Sequence, residues 1–269
     1  MNIQFTVGIL ITILGAMVGS FLSVVIARTH KRQKGIWFGR SICPHCKKQL
    51  KWYYLFPIFS YLFLRGKCGL CGKRISAHYL GLEVLTAGFF LLAFVKAPFI
   101  DSNFAINIMN YALLESFIFY IVLFTFLSLI FFYDLLYKEI PDRFSIPAII
   151  IAVLMALLTG TPVLLSIGIA LLVIVLFFGG QIVISKGAWL GGGDLRLGIL
   201  MAVILGWKVM IFALILSYII GAVLSLILIA SKKATRKTMI PFGPFLIMGL
   251  VVSMFWGELI ITKYFELIY

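Results

Sequence analysis

Residues 110–134 read NYALLESFIFYIVLFTFLSLIFFYD. A single charged side chain, Glu115, interrupts this run before it closes on Asp134. A helix that crosses a bilayer needs about 20 mostly apolar residues. A membrane β-strand is instead a segment of about ten residues that alternates apolar and polar positions. The stretch is long and continuous, so it predicts a transmembrane helix. Outward from it, further apolar runs fall at 5–27, 78–97, 145–159, 162–184, 196–206, 209–230 and 241–262. The run at 145–159 stops at the turn signal Thr159-Gly160-Thr161-Pro162, and that at 196–206 stops at Gly206-Trp207-Lys208. The expected fold class is therefore an all-α polytopic membrane protein with about eight transmembrane helices. Composition agrees: of 269 residues, 63% are hydrophobic and 12% charged, against about 45–50% and about 25% in soluble domains. A soluble enzyme, a disordered tail and a disulfide-stapled secreted module are excluded.

The net charge of +14 reads as loop topology, and no nucleic-acid partner is expected. With eight spans, 20 of the 23 Lys and Arg residues fall on one side and only Lys96, Lys208 and Lys263 on the other. Basic loops stay in the cytoplasm. Both termini are thus expected outside. Twelve of the cations, from Arg28 to Arg74 and including Arg32, Lys34 and Arg40, fill a cytoplasmic loop after the first span. Arg236 and Lys237 belong to the same side. Three regions follow: the first helix at 1–27, a loop module at 28–77, and a helical bundle at 78–269.

That loop holds all four cysteines, as Cys43-Pro-His-Cys46 and Cys68-Gly-Leu-Cys71. Two CxxC knuckles at this separation read as a structural four-thiolate zinc site. Buried thiols or a redox pair are the competing readings, and disulfides are disfavoured in a reducing cytoplasm. A loop of this size is too small for a strong core, so a metal would staple it. His45 is read as a loop residue. Between the knuckles, residues 52–64 are apolar but too short to span, and contain Pro57. They form either an interfacial segment on the bilayer or the core of the zinc module.

The chain has nine acidic residues. Asp101, Glu115, Glu258 and Glu266 fall toward the outer side, and Glu83 inside the second span. Asp134, Glu139, Asp142 and Asp194 fall at the cytoplasmic boundary. Ionisable groups in or beside the bilayer are functional candidates. Asp134 ends the third span and Asp194 opens the sixth, so both are expected at one face. Two adjacent carboxylates share a proton; one then activates water and the other protonates a peptide carbonyl. Gly191, Gly192 and Gly193, before Asp194, suit close approach of an extended peptide. Asp142, after Pro141, is expected to cap the fourth span, and Arg196 to tune or position a carboxylate.

Taken together, these residues resemble the bacterial type IV prepilin peptidases, polytopic aspartic proteases with a GxGD motif. The resemblance runs from Gly19-Ser20-Phe21-Leu22-Ser23 through both CxxC pairs, Ser60-Tyr61-Leu62, Glu83, Asp134 with Ile140-Pro141-Asp142, and Gly191-Gly192-Gly193-Asp194, to Pro241-Phe242-Gly243-Pro244. It implies catalytic Asp134 and Asp194 and a metal at Cys43, Cys46, Cys68 and Cys71; the extended substrate is expected beside the small residues Gly191, Gly192 and Gly193, and Pro241 and Gly243. It also implies removal of a short basic leader from prepilins or pseudopilins at the cytoplasmic face of a bacterial inner membrane. N-methylation of the new terminus with S-adenosylmethionine comes from the resemblance alone. Two other classes fit less well. A transporter would hold its carboxylates near the bilayer midplane, often within an inverted repeat. A catalytically silent assembly platform would not need both aspartates.

Overall fold

In lipid every backbone N–H and C=O must find a partner within the chain, so long apolar runs become helices. A computed structural model describes residues 3–31, 41–43, 45–98, 111–235 and 238–268. Asp101, Arg32, Lys34, Arg40, Arg236 and Lys237, used above for topology, lie outside the described residues, as does part of the 28–77 region. Among the described residues the chain is all-helical, with two isolated β-bridges, Ile42 to Gln49 and Lys67 to Arg74. Seven helices among the described residues are long and apolar enough to cross a membrane. The chain divides into two compact units, Met1–Phe132 and Tyr133–Tyr269.

In the first unit, α1 (Ile3–His30) packs along α3 (His78–Lys96). The approach is close: a methyl group on Gly15 would lie 2.8 Å from Phe90 Cβ, and one on Gly19 2.8 Å from Glu83 Cα. Gly15 and Gly19 form a GxxxG face, the usual small-residue solution for helices in lipid. Ile11, Phe90 and Phe94 make a core with Val7, Val18, Phe117 and Ile121 around it. Between α1 and α3 the chain forms a 3-10 turn, Trp52–Leu55, and the short helix α2, Phe59–Phe63. No side chain of either is buried. Trp52 is 75% exposed and Phe63 84%. A module core would bury these rings, so Trp52 and Phe63 do not form one.

The second unit begins near the end of α4 (Tyr111–Tyr137) and continues with α5 (Asp142–Thr159). Next come α6 (Leu164–Ile174), a π-helical turn (Val175–Gly179) and α7 (Gly180–Ser185), which together make one apolar rod. The chain then enters α8 (Gly192–Ala230) and α9 (Gly243–Ile268), and α8 packs on α5, α6 and α9. The sixth and seventh expected spans meet end to end in α8, 39 residues long. The helix breaks at Gly206, where φ is +67° and ψ 176°. That conformation is essentially confined to glycine, and a Cβ there would lie 2.5 Å from Ser166 Oγ. The same hydroxyl accepts a hydrogen bond from Trp207 N–H at 3.1 Å, which serves a donor the kink sets free. The turn signal at Gly206-Trp207-Lys208 therefore separates two apolar helices, 192–205 and 207–230, that meet at a kink.

Candidate active site and metal centre

Asp134 lies one turn from the end of α4 and is 4% exposed. A buried carboxylate needs hydrogen-bond donors. Gly243 N–H, in the first turn of α9, donates to Asp134 Oδ2 at 2.9 Å. Asp194 sits in the first turn of α8, and its Oδ2 accepts from Gly191 N–H at 3.2 Å. Both carboxylates therefore occupy helix N-termini, where free N–H groups and the helix dipole favour negative charge. The two aspartates are near enough for the charge of one to act on the other. They come from segments 60 residues apart in sequence, and only the packing of the second unit brings them together.

Ile140 is the spacer between the segments that carry them. A methyl group on Gly193 would lie 2.7 Å from Ile140 Cβ, and one on Gly243 3.2 Å from Ile140 Cδ1 and 2.6 Å from Asp134 Oδ2. Gly193 and Gly243 are small because these elements touch there. Gly191 and Gly192 are exposed, and Gly191 is extended, with φ −89° and ψ 160°. Pro241 is half-buried just before α9. The loop carrying Ile140 is held by Arg196. Its Nη2 donates to Ile140 O at 2.9 Å, its Nε to Ser145 Oγ at 3.1 Å, and Nη2 pairs with Asp142 at 2.5 Å. Asp142 is the first residue of α5, Pro141 occupies the N-cap position, and no side-chain cap bond forms. Asp142 thus serves as the ion-pair partner of Arg196 rather than as a cap, because it lies one residue inside the N-cap position that Pro141 holds. The sequence reading missed Tyr218, which is hydrogen-bonded to Gln181, lies within electrostatic reach of Asp194, and packs on Phe242 at 4.8 Å between ring centroids. Its only sequence signal was a polar ring inside an apolar run.

In the first unit the four cysteine sulfurs all lie within 4.8 Å of one another, and Cys43 Sγ stands 4.0 Å from Cys71 Sγ. Sulfurs around a tetrahedral zinc at about 2.3 Å stand about 3.8 Å apart, so the set can hold a metal ion. All four are free thiols. The two knuckles repeat one backbone pattern. Cys43 N–H donates to Lys48 O and Cys68 N–H to Lys73 O. Lys47 N–H closes back on Cys43 O, and Gly72 N–H on Cys68 O. Lys47 and Gly72, each four residues after its knuckle's first cysteine, both have positive φ. Lys48 N–H favours the thiolate of Cys46 and lowers its pKa. At Cys71 the Lys73 N–H acts the same way, but desolvation and the other three sulfurs outweigh it and push the thiol up to about 11. Four crowded sulfurs cannot all ionise without a cation among them. His45 lies outside the sulfur set, its Nε2 3.2 Å from Arg74 O.

The fold and these two centres define a polytopic membrane protein with a four-cysteine module and two aspartates at helix N-termini. Comparison with known proteins carries this further. Residues 13–97 match the Bacterial Peptidase A24 N-terminal domain and residues 121–226 the Type IV leader peptidase family. A prepilin leader peptidase/N-methyltransferase of Legionella pneumophila is 30% identical over 242 residues, covering 88% of this chain and 79% of its own. Proteins of the same name from Xanthomonas campestris pv. campestris and Bacillus subtilis strain 168 are 29% and 28% identical, covering 93% and 95% of this chain and 92% and 96% of theirs. No solved structure matches. The chain belongs to the type IV leader peptidase family: it is a membrane-embedded protease, and the family couples this with methyltransferase activity. The transporter and silent-platform readings are not favoured.

Proposed function

We propose that this protein cuts the basic leader from prepilins or pseudopilins with Asp134 and Asp194, at the cytoplasmic face of a bacterial inner membrane. The observation that carries this is the meeting of two carboxylates, each at a helix N-terminus, in a chain of this family. A substrate whose body is a membrane helix enters from the bilayer, and its scissile bond lies at the interface. Gly191, exposed and extended, offers backbone for an added strand, with Gly192 beside it and Pro241 near α9. One aspartate, ionised, takes a proton from the attacking water. The other, protonated, gives its proton to the scissile carbonyl, and the pair then returns a proton to the leaving amine. Gly243 N–H holds Asp134, and Arg196 holds the loop that spaces the two segments.

The ion held by Cys43, Cys46, Cys68 and Cys71 is read as zinc, on the strength of an all-thiolate tetrahedral set. The methyl donor is read as S-adenosylmethionine. It supplies a methyl group on a sulfonium, which passes to the neutral amine of the newly cut pilin. The C–S electron pair stays on sulfur, and the amine loses a proton.

The test is co-expression with a prepilin and mass analysis of its N-terminus, which reads cleavage and methylation together. Asp134→Asn and Asp194→Asn are each expected to reduce cleavage at least about 100-fold, the usual scale of acid–base catalysis, while the protein still inserts. Full cleavage by either variant removes that residue from the pair.

A further inference from the structure

Tyr218 stands beside the aspartates, yet the peptidase chemistry makes no use of it. Asp194 lies twelve residues before Gly206 and Tyr218 twelve after. An unbroken helix would hold them about 36 Å apart, at about 1.5 Å per residue. They are instead within electrostatic reach of one another. The two segments of α8 therefore fold back at Gly206, and Tyr218 comes level with Asp194.

The facing wall is the rod made by α6, the π-helical turn and α7. Gln181 is its one polar side chain between Ile167 and Ile184. A π-helical turn holds one residue more than an α-helical turn, which rotates everything after it by about 100°. The turn at Val175–Gly179 so carries Gln181 round to Tyr218, to which it is hydrogen-bonded. It also sends two rings to different faces. Phe178 is fully buried, in the room left by Gly198. Phe177 is 44% exposed and meets the Tyr218 ring edge-on, 6.0 Å between centroids. On its other side Tyr218 packs on Phe242. Phe242 directly precedes Gly243, whose N–H donates to Asp134. A row of three rings thus leads from exposed Phe177 to the aspartates, with one amide set beside it.

This row has the chemistry of a substrate surface. Tyr218 is 37% exposed in an apolar segment. A substrate whose body is a membrane helix must unwind where it is cut, and each backbone group freed there needs a partner. A primary amide carries two donor hydrogens and a carbonyl, and the bond to Tyr218 takes one of these places. Gln181 can therefore pair with an extended peptide as another peptide group would. The rings offer flat apolar area to the side chains that follow the cut.

We propose that Gln181 and Tyr218 hold the substrate on the mature side of the cut: Gln181 bonds the unwound backbone, and the first apolar side chains of the pilin helix lie on the rings of Phe177, Tyr218 and Phe242. The inference rests on the peptidase reading above and adds where the substrate helix lies.

The test uses the full chain in detergent micelles. A prepilin carrying benzoylphenylalanine early in its mature helix is irradiated with the Asp194→Asn chain, which keeps the substrate whole. Crosslinks are expected in peptides containing residues 175–185, 212–222 or 239–245. This arm changes neither Gln181 nor Tyr218, so it decides even where a variant fails to fold. In the second arm, Gln181→Leu and Tyr218→Leu should each raise KM about tenfold while kcat holds, the mark of lost uniform binding. Tyr218→Phe, which keeps the ring, should recover most of the affinity that Tyr218→Leu loses. Crosslinks confined to other helices overturn the proposal. So does a fall in kcat at unchanged KM, which would set Tyr218 to work on Asp194 instead of on the substrate. In both cases the wild-type chain still cleaves, and the peptidase reading stands. A wild-type chain that leaves the prepilin whole overturns that reading and the proposal with it.

Discussion

Gly243 shows how much one missing methyl group decides. It must let α9 begin against Asp134, present its N–H to Oδ2, and leave room for Ile140. Gly243→Ala places a carbon 2.6 Å from Asp134 Oδ2, so the carboxylate must move. A displacement of about an ångström at a reacting group costs about 100-fold in rate. Cleavage is expected to fall by that order with membrane insertion intact; a pulse-chase of prepilin processing reads it. Arg196 and Asp142 separate in the same way. Their ion pair has an exposed partner in Asp142, and such pairs contribute about 0–1 kcal/mol, so Asp142→Asn is expected to be nearly silent in thermal melts. Arg196 also donates to Ile140 O and Ser145 Oγ. Bonds from a charged donor contribute about 1.5–3 kcal/mol. Arg196→Ala should therefore lower both melting temperature and cleavage well beyond Asp142→Asn, and equal effects of the two would sink this reading of the loop.

At the scale of elements, the four-thiolate module is the part most dependent on something outside the chain. Its two knuckles share a backbone pattern and bring four sulfurs together, yet its rings at Trp52 and Phe63 are exposed. Without a packed core, a metal would carry the module's stability. Cys46→Ser is expected to cut bound zinc, measured by plasma mass spectrometry, and to open residues 41–75 to protease. Thiolates bind zinc and thiols do not. Falling pH therefore protonates the ligands, and zinc affinity should drop as pH falls from 8 to 6. Affinity that rises as pH falls over this window would rule out a thiolate set. The helical elements contrast with this module: their lipid-facing apolar surfaces and internal hydrogen bonds need no ion.

For the whole molecule, the testable quantity is topology. Seven helices have span length and the longest breaks at Gly206. If the apolar segments on either side of the break each cross, there are eight crossings, and the termini share a side. Alkaline phosphatase fused after Tyr269 is then expected to be active, as it is only outside the cytoplasm, and a fusion within the loop that follows α1 inactive. An inactive C-terminal fusion would make the two segments of α8 a single crossing.

The sequence by itself determined the membrane class, the approximate runs that became helices, the pairing of the cysteines into two knuckles, and the family, because apolar length, CxxC spacing and GxGD are local properties. It also placed Asp134 at the end of one span and Asp194 at the start of another. It did not determine that Gly243 donates to Asp134, that Ile140 keeps the two segments apart, that Asp142 pairs with Arg196 instead of capping α5, or that Glu83 pins Ile58. Each of these joins residues at least 25 positions apart in the chain. Such contacts depend on how helices pack, and packing is set by side-chain shape across a contact rather than by hydropathy along a chain. The kink at Gly206 belongs to the same group. The sequence marks a break at Gly206, and only the tertiary structure shows its sharpness, with the Ser166 hydroxyl held beside it where a Cβ would lie.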